Sequence, residues 1–315
     1  MARIIKKSIL ITFTILVVVL ISIGYYMIDY SLKPNHRGKN IEESFSEMFY
    51  KYPFVENWVD SLQSIEALKD TFITNANGVR LHGYYVESSI KTNKTALIIH
   101  GYTDNAIRMF MIGYLYNRDL NYNIVIPDLQ FHGLSEGNAI QMGWKDRLDV
   151  LEWANVALNK FGTESSIVVH GISMGAATTM MLSGTEQLQQ IKCYVEDCGY
   201  TSVWDEFSQE LNVRFGLPEF PIMHVSSLMS NALLGWSFKE ASALESIKRC
   251  NKPMLFIHGD QDTFVPTWMV YDLYKAKPQP KKLWIVEGAE HAVSYLENKE
   301  EYTKYVANFI EQYMN

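Results

Sequence analysis

The sequence predicts an α/β protein in which a mostly parallel sheet carries helices on both faces. Short apolar runs alternate with helix-length segments from about residue 70 to the C-terminus, which is the pattern of parallel strands joined by helices. Most of these runs are continuously apolar, as expected where helices cover both faces of a strand. The length of 315 residues and the apolar fraction of 48% suit one large folded domain and exclude a disordered chain.

About eight candidate strands and five helical segments form this alternation. The first two strands flank Asn77-Gly78, a strong hairpin signal, so we expect the sheet to begin with an antiparallel pair. The candidate strands are residues 71–74, 79–86, 96–100, 124–127, 167–170, 193–197, 254–258 and 283–286. The helical patterns that separate most of them cover residues 106–118, 144–161, 174–188, 268–275 and 299–313.

Residues 201–249 break the alternation between the sixth and seventh strands. This segment is helical in pattern and carries many large apolar side chains, including Trp204, Phe207, Phe215, Phe220 and Trp236. An insertion at this place favours a small helical cap above the strand ends, and an ordinary pair of core-packing helices is the alternative. With a cap this small, we expect a fairly open site.

The first thirty residues differ from the rest of the chain. A basic N-terminus precedes 21 residues without formal charge, from Ser8 to Ile28. A helix of that length spans a hydrocarbon core of about 30 Å. We therefore expect residues 1–30 to be an uncleaved single-pass anchor in the cell membrane, with the folded domain outside the cytoplasm. A cleavable signal peptide is the alternative, because Ser22-Ile23-Gly24 loosely resembles a cleavage site.

The anchor and the sheet are joined by residues 31–69. We interpret their first part, to about residue 50, as a polar tether, and the rest as a helical preface with Pro53 near its start. The α/β domain is then expected over residues 70–315. On this interpretation, removing residues 1–30 releases a soluble, active protein.

The most informative stretch is Gly171-Ile172-Ser173-Met174-Gly175, a G-x-S-x-G motif between an apolar strand and a helix. A sharp strand-to-helix turn holds such a serine in a strained conformation and lifts its hydroxyl clear of the sheet. The start of the following helix then lies beneath the negative charge that develops during acyl transfer. Ser173 is therefore the candidate nucleophile.

With this motif, the chain resembles the α/β-hydrolase fold family in its serine-hydrolase branch, over about residues 70–315. It looks most like membrane-anchored or secreted bacterial enzymes of the esterase-like and prolyl-oligopeptidase-like kinds. The resemblance implies an α/β-hydrolase fold with a Ser-His-Asp triad. The nucleophile position in this strand-to-helix turn, the elbow, is a serine. This counts against haloalkane dehalogenases and epoxide hydrolases, which have aspartate at the elbow in the family pattern.

A serine nucleophile needs a base, and the chain has eight histidines. His291 follows the last strand, where the family's base stands, and completes the order Ser, acid, His. The segment His258-Gly259-Asp260-Gln261-Asp262-Thr263-Phe264-Val265-Pro266 is similar to the family pattern H-G-x-x-D-x-x-V-P, which implies Asp262 as the acid. Asp197, at the end of the sixth strand, is the other option, because some relatives take the acid from there.

Three neighbours of these candidates have expected structural roles. His170 lies on the strand before the elbow and is expected to pack beneath it. His258 and Asp260 stand in the loop of the candidate acid, where we expect His258 to order the loop and Asp260 to accept hydrogen bonds from backbone amides.

Two backbone N–H groups are expected to form the oxyanion hole. Met174 directly follows the nucleophile and should supply one of them. The other should come from the loop after the third strand, and the family resemblance implies Tyr102.

These residues imply a serine hydrolase that cleaves carboxylic esters of short-to-medium acyl or aromatic acids through an acyl-enzyme. A serine peptidase of prolyl-oligopeptidase type, an acyltransferase or thioesterase, and a non-enzymatic binding module are the alternatives.

Composition and motifs limit the partners. The net charge of −7 argues against general nucleic-acid binding. Without a C-x-x-C pair, H-E-x-x-H motif, P-loop or dinucleotide-binding motif, we expect no metal or organic cofactor. The expected partners are a small-molecule ester and the membrane, and the oligomeric state stays open.

Overall fold

The computed structural model describes residues 2–36, 38–186 and 188–314. Its centre is an eight-stranded sheet in the order β1-β2-β4-β3-β5-β6-β7-β8. The strands are β1 (Lys69–Thr74), β2 (Arg80–Val86), β3 (Lys94–Ile99), β4 (Asn123–Pro127), β5 (Ser166–Ile172), β6 (Ile191–Asp197), β7 (Met254–Gly259) and β8 (Lys281–Val286). β2 pairs antiparallel with both of its neighbours, and the remaining pairs of this sheet are parallel.

This architecture confirms the predicted α/β-hydrolase fold. Each predicted strand is present, with its ends within two residues of the expected bounds. Several strands begin earlier than predicted because their first residues are polar, as at Lys94 and Lys281. Backbone pairing extends into these residues, and an apolar pattern cannot reveal it.

Helices cover both faces of the sheet and form the inserted segment. They are α1 (Ala2–Leu32), α2 (Ile41–Lys51), α3 (Pro53–Ser64), α4 (Phe110–Tyr114), α5 (Asp146–Phe161), α6 (Met174–Ser183), α7 (Val203–Phe215), α8 (Ile222–Leu234), α9 (Ala243–Ile247), α10 (Trp268–Ala276), α11 (Ser294–Glu297) and α12 (Lys299–Ile310). A short 3₁₀ turn precedes α4 and a π-helical turn follows it, where we predicted one continuous helix.

Two predicted segments differ from the observed helices. α6 ends at Ser183 instead of continuing to residue 188, because Gly184 lies directly against the backbone of Ser246. Within the predicted tether, α2 is a regular helix that begins at Ile41 and buries Ser44 and Met48. The sequence of α2 is mostly polar and its buried face is narrow, so the apolar pattern did not predict the helix.

The apolar core lies in two layers, one on each face of the sheet. One layer contains Trp153, Met174 and Trp236, and the other contains Phe110 and Tyr302. Ser173, the elbow serine, directly follows β5 and lies at the carboxyl ends of the central parallel strands. Ligands bind at this end of open α/β sheets.

Helix α1 has an exposed part and a packed part. From Arg3 to Leu32 it is long and apolar enough to cross a membrane, a test that a signal sequence near the N-terminus also passes. Its last turns contact the rest of the protein, because Ile28 and Leu32 are buried and Gly24 touches α8. The C-terminal end of α1 therefore packs against the folded domain.

Candidate active site

Ser173 occupies a strained turn between β5 and α6. Its backbone has φ 57° and ψ −120°, a conformation that non-glycine residues rarely adopt and that clusters at functional sites. The two motif glycines permit the turn. A Cβ on Gly171 would lie 2.1 Å from the Gly175 carbonyl oxygen, and one on Gly175 would lie 2.1 Å from that of Ile99.

His291 connects Ser173 with Asp262. Its Nε2 atom lies 2.9 Å from Ser173 Oγ, and its Nδ1 atom lies 2.6 Å from Asp262 Oδ2. Ser173 and Asp262 are buried, whereas the His291 side chain keeps 21% of its surface exposed. The structure thus brings the three predicted side chains into one hydrogen-bonded chain, open to solvent at the imidazole.

The carboxylate of Asp262 is held by its own loop. Oδ1 accepts hydrogen bonds from the backbone N–H groups of Phe264 and Val265, at 3.0 and 2.9 Å. Burial would raise the pKa of Asp262, but hydrogen bonds with His258 and His291 outweigh it and lower the pKa to about 2. The group is therefore a fixed anion beside the imidazole.

Asp197, the other candidate acid, has a different partner. Its Oδ2 atom accepts a hydrogen bond from the Tyr302 hydroxyl at 3.0 Å. Burial, the largest influence, raises the pKa of Asp197 to about 6 against the opposing effect of that bond. The backbone carbonyl oxygen of Asp197 also accepts a hydrogen bond from the Ser173 N–H at 2.8 Å, so Asp197 helps to hold the elbow in place.

The neighbouring residues have the positions expected of structural groups. His170 is buried beneath the elbow between the hydroxyls of Tyr116 and Tyr302, at 3.1 and 3.0 Å. His258 Nε2 lies 2.9 Å from the Val265 carbonyl oxygen and so ties the acid's loop to β7. Asp260 Oδ1 accepts the Gly288 N–H at 2.7 Å.

The two predicted oxyanion-hole residues flank Ser173. Met174 is the first residue of α6, so its N–H group is one of those without a partner inside the helix. On the other side, a Cβ on Gly101 would lie 3.4 Å from Ser173 Cβ, which places the loop containing Tyr102 in contact with the nucleophile. The Tyr102 hydroxyl donates to the Ser31 carbonyl oxygen at 2.8 Å.

A mostly apolar cavity of about 300 Å³ opens beside Ser173. Phe207 and Phe215, two of the predicted cap aromatics, line it. Of the other three, Trp204 is partly buried against the core, Trp236 is buried and donates to Gln141, and Phe220 is exposed on the surface. The inserted helices α7 and α8 therefore form a wall of the cavity, although only part of their apolar surface faces it.

Sequence reasoning missed the contribution of α1 to this cavity. Met27, Tyr30 and Ser31 line it together with the cap residues. A run of uncharged residues predicts a membrane span and gives no sign that the end of the span packs on a domain. The buried positions Gly24, Ile28 and Leu32 lie on one helical face, but their neighbours in the run are mostly apolar too, so no periodic pattern marks this face in the sequence.

Glu206 is a second missed residue. It lies on α7, lines the cavity and is buried, and its Oε2 atom has no hydrogen-bond partner among the described residues. Burial raises the pKa of Glu206 well above its ordinary value. The cavity wall is mostly apolar, and Glu206 is a buried carboxyl group within it. Glu210 and Arg214, which form an ion pair, line the cavity as well.

One group of side chains near the elbow has the composition of a metal site. Cys198, Asp262 and His291 each bring a ligand atom within 4.8 Å of the others. Both ring nitrogens of His291 are engaged with Ser173 and Asp262, and burial raises the pKa of the Cys198 thiol well above its ordinary value. Because metals bind the thiolate and an unshared imidazole nitrogen, this donor set suits proton transfer better than metal binding.

Comparisons with known proteins indicate the family and the fold of the chain. Residues 128–315 match the prolyl oligopeptidase family. The YqkD protein of Bacillus subtilis is 31% identical over 258 residues, which are 81% of this chain and 84% of YqkD. The structure of the Pyrococcus furiosus esterase Pf2001 is similar, with a TM-score of 0.64 and 25% identity over 79% of this chain and 91% of Pf2001.

A larger enzyme shares the fold. The Pyrococcus horikoshii acylaminoacyl peptidase superposes with a TM-score of 0.59 and 16% identity, over 80% of this chain and 43% of the peptidase. The fold, the elbow motif and the family match lead to one conclusion. The chain belongs to the prolyl oligopeptidase family, and it is an α/β-hydrolase-fold serine hydrolase.

Proposed function

We propose that the protein is a carboxylic-ester hydrolase in which Ser173 is the nucleophile, His291 the base and Asp262 the acid. The observation that carries this proposal is the pair of contacts made by the His291 imidazole, 2.9 Å to Ser173 Oγ and 2.6 Å to Asp262 Oδ2. These distances allow proton transfer from the hydroxyl to the ring while the carboxylate stabilises the resulting cation.

The reaction then proceeds in two acyl-transfer steps. Ser173 Oγ bonds to the ester carbonyl carbon as its proton moves to His291, and His291 returns the proton to the departing alcohol. Water, deprotonated by the same imidazole, then attacks the carbonyl carbon of the acyl-serine. The bond from this carbon to Ser173 Oγ breaks, His291 returns the proton to Oγ, and the carboxylic acid leaves. In both steps, the backbone N–H groups of Tyr102 and Met174 stabilise the carbonyl oxygen as it becomes negative.

The cavity supports short-to-medium acyl chains or aromatic acids as the acyl group. Apolar side chains from α7 and α8 enclose it, and its volume of about 300 Å³ is at the small end for ligand pockets. Each methylene that fits adds about 0.8 kcal/mol of apolar burial. The value of kcat/KM should therefore rise with chain length and then level off or fall by medium length.

A serine peptidase is the second candidate, and the observation that favours it is Glu206. A buried carboxyl group whose Oε2 atom has no hydrogen-bond partner in the described part of the chain suits recognition of an amine, such as the N-terminus of a peptide. The family match and the acylaminoacyl peptidase fold are consistent with this alternative. An acyltransferase or thioesterase differs from the leading proposal only in the acceptor or donor of the acyl group.

A matched substrate panel separates these functions. p-Nitrophenyl esters from acetate to palmitate are compared with aminoacyl-p-nitroanilides, and a fluorophosphonate probe reports the reactive serine. The proposal expects labelling and hydrolysis of the shorter esters, with little cleavage of anilides. Cleavage of anilides that is lost in Glu206→Gln would instead establish the peptidase. Failure of the probe to label would leave only a binding module.

We also propose that α1 is an uncleaved anchor and that the catalytic domain, about residues 70–315 with its cap at about 201–249, lies outside the cytoplasm. The buried positions of Gly24, Ile28 and Leu32 support retention of the helix, because cleavage near residue 24 would remove part of this packing. External protease added to wall-less cells should digest the domain. Protection would reverse the orientation, and a mature chain that begins near Tyr25 would establish a signal peptide.

A further inference from the structure

We propose that α8 lies at the boundary between lipid headgroups and acyl chains beside α1, so that the cavity opens at the membrane surface. The substrate is then an amphiphilic ester that resides in that surface. The inference rests on the proposed ester hydrolase and the proposed anchor. It adds that the enzyme takes its substrate from the membrane surface.

The contact between α1 and α8 sets how deeply α8 lies in the membrane. A Cβ on Gly24 would lie 2.7 Å from Met229 Sδ and 2.9 Å from Val225 Cγ1, so the side chains of α8 touch the α1 backbone there. Gly24 precedes the end of the uncharged run at Ile28 by four residues, which is about 6 Å along a helix. If α1 fills the hydrocarbon core, this part of α8 lies several ångströms below the headgroups, the depth of interfacial helices.

The composition of α8 suits that position. The helix has no formally charged residue, and its outward face carries Leu228 and Leu233, which are 69% and 58% exposed. Exposed side chains of this kind next to a membrane helix mark a lipid-contacting surface. At the end of α8, Lys145 Nζ donates to the Leu234 carbonyl oxygen, and this charge belongs in the headgroup layer. The lysine therefore holds α8 at the boundary.

Tyrosines on α1 place the cavity at the same level. Tyr25, Tyr26 and Tyr30 are exposed, and tyrosine is enriched at the membrane–water interface. Tyr30 makes an edge-on contact with Phe215 at a centroid distance of 5.5 Å, and both rings line the cavity. The exposed rim of the cavity is therefore at the level of the headgroups.

The cavity also reaches the apolar side of this boundary. Met27, one residue before the end of the uncharged run, lines it together with Ile222 and Met223 of α8. An acyl group that leaves the lipid layer at this point moves from one apolar environment to another. The arrangement therefore favours an ester that partitions into the lipid surface over one that is dispersed in water.

Site-specific fluorescence tests the position of α8. The three cysteines of the sequence are buried, so a thiol-reactive, polarity-sensitive fluorophore can be directed to Leu228→Cys in the full chain in phosphatidylcholine vesicles. The matched control is Ile90→Cys, which is 58% exposed and lies between β2 and β3 at the opposite end of the sheet. We expect blue-shifted emission and quenching by doxyl-labelled lipid at position 228 only. Equal, water-like emission at both positions would overturn the inference.

Activity tests the substrate class. Leu228→Glu combined with Leu233→Glu should lower hydrolysis of a vesicle-embedded octanoyl ester by about tenfold or more, because two apolar side chains are lost from the lipid surface. Hydrolysis of soluble p-nitrophenyl acetate, and both activities of Ile90→Glu, should stay at the wild-type level. Wild-type rates on the vesicle ester in the double variant would contradict the inference. If the wild type cleaves no ester while position 228 is embedded, the proposed function fails and the membrane position stands.

Discussion

The Tyr102 hydroxyl donates a hydrogen bond of 2.8 Å to the backbone carbonyl oxygen of Ser31, and so joins the loop beside the nucleophile to the end of α1. Residues 31 and 102 are far apart in sequence, and both line the cavity. The N-terminal helix is therefore a wall of the candidate active site as well as a candidate anchor.

Two truncations separate these roles. Removal of residues 2–21 leaves Met27, Tyr30 and Ser31 in place, and we expect the chain to keep kcat/KM for p-nitrophenyl butyrate close to that of the full protein. Removal of residues 2–32 opens the cavity and should lower kcat/KM by at least about tenfold, the effect of roughly 1.4 kcal/mol of lost binding. This revises the expectation that loss of residues 1–30 leaves activity intact. Equal activity of both truncated chains in detergent would show that α1 is only an anchor.

Substitution of the two candidate acids distinguishes their roles. Asp262→Asn should lower kcat by about 10³- to 10⁴-fold, because the amide cannot stabilise the imidazolium and favours the wrong tautomer of His291. Asp197→Asn keeps a hydrogen-bond partner for Tyr302 and should change kcat far less. Steady-state kinetics on p-nitrophenyl butyrate measure both. A nearly silent Asp262→Asn together with an inactive Asp197→Asn would mean that the acid is Asp197.

The pH dependence of stability should also depend on Asp197. Because its pKa is about 6 in the folded protein and about 4 when unfolded, the folded state binds the proton more tightly, and stability falls as pH rises through this window. The unfolding free energy of Asp197→Asn relative to wild type should therefore increase by about 2 kcal/mol from pH 4 to pH 8. His258, His291 and Asp262 are nearby in both proteins, so most of their own titration cancels in the difference. Denaturant unfolding in detergent at several pH values measures it, and a constant difference would contradict the assignment.

The size of the cavity can be changed from α8. Ser226 is buried and lines the cavity, so Ser226→Leu should fill space that otherwise holds an acyl group. We expect kcat/KM for the longest accepted ester to fall about tenfold, the equivalent of roughly two methylenes, with little change for acetate. Asn231→Leu adds the same side chain to the exposed face of α8 and is the control. A uniform loss across the ester series, or none, would place the acyl group elsewhere.

The sheet was predictable because each of the last six strands contains a short apolar run, and because Asn77-Gly78 marks the hairpin between the first two. The elbow was predictable because Gly171 and Gly175 stand where only a hydrogen side chain fits. His291 and Asp262 could be found because their loops follow the last two strands, and strand order places the ends of parallel strands at one edge. The family resemblance supplied the choice between Asp262 and Asp197, which spacing alone left open.

Contacts between distant segments could not be predicted. The uncharged run of α1 indicates a membrane span, but the packing of Gly24 against α8 depends on the fold of the inserted segment. In the sequence, Glu206 looks like an ordinary polar position on an amphipathic helix. Only the fold shows that its carboxyl group is buried beside the cavity. Both features need tertiary structure because no local pattern encodes them.

The most direct test of the central claim is to trap the acyl-enzyme. The protein is mixed with p-nitrophenyl butyrate, quenched in acid within milliseconds and digested for mass spectrometry. We predict a butyryl group on the peptide containing Ser173, its absence from Ser173→Ala, and much slower formation in His291→Ala. Turnover of the ester by Ser173→Ala at the wild-type rate, or an acyl group on another residue, would contradict the account.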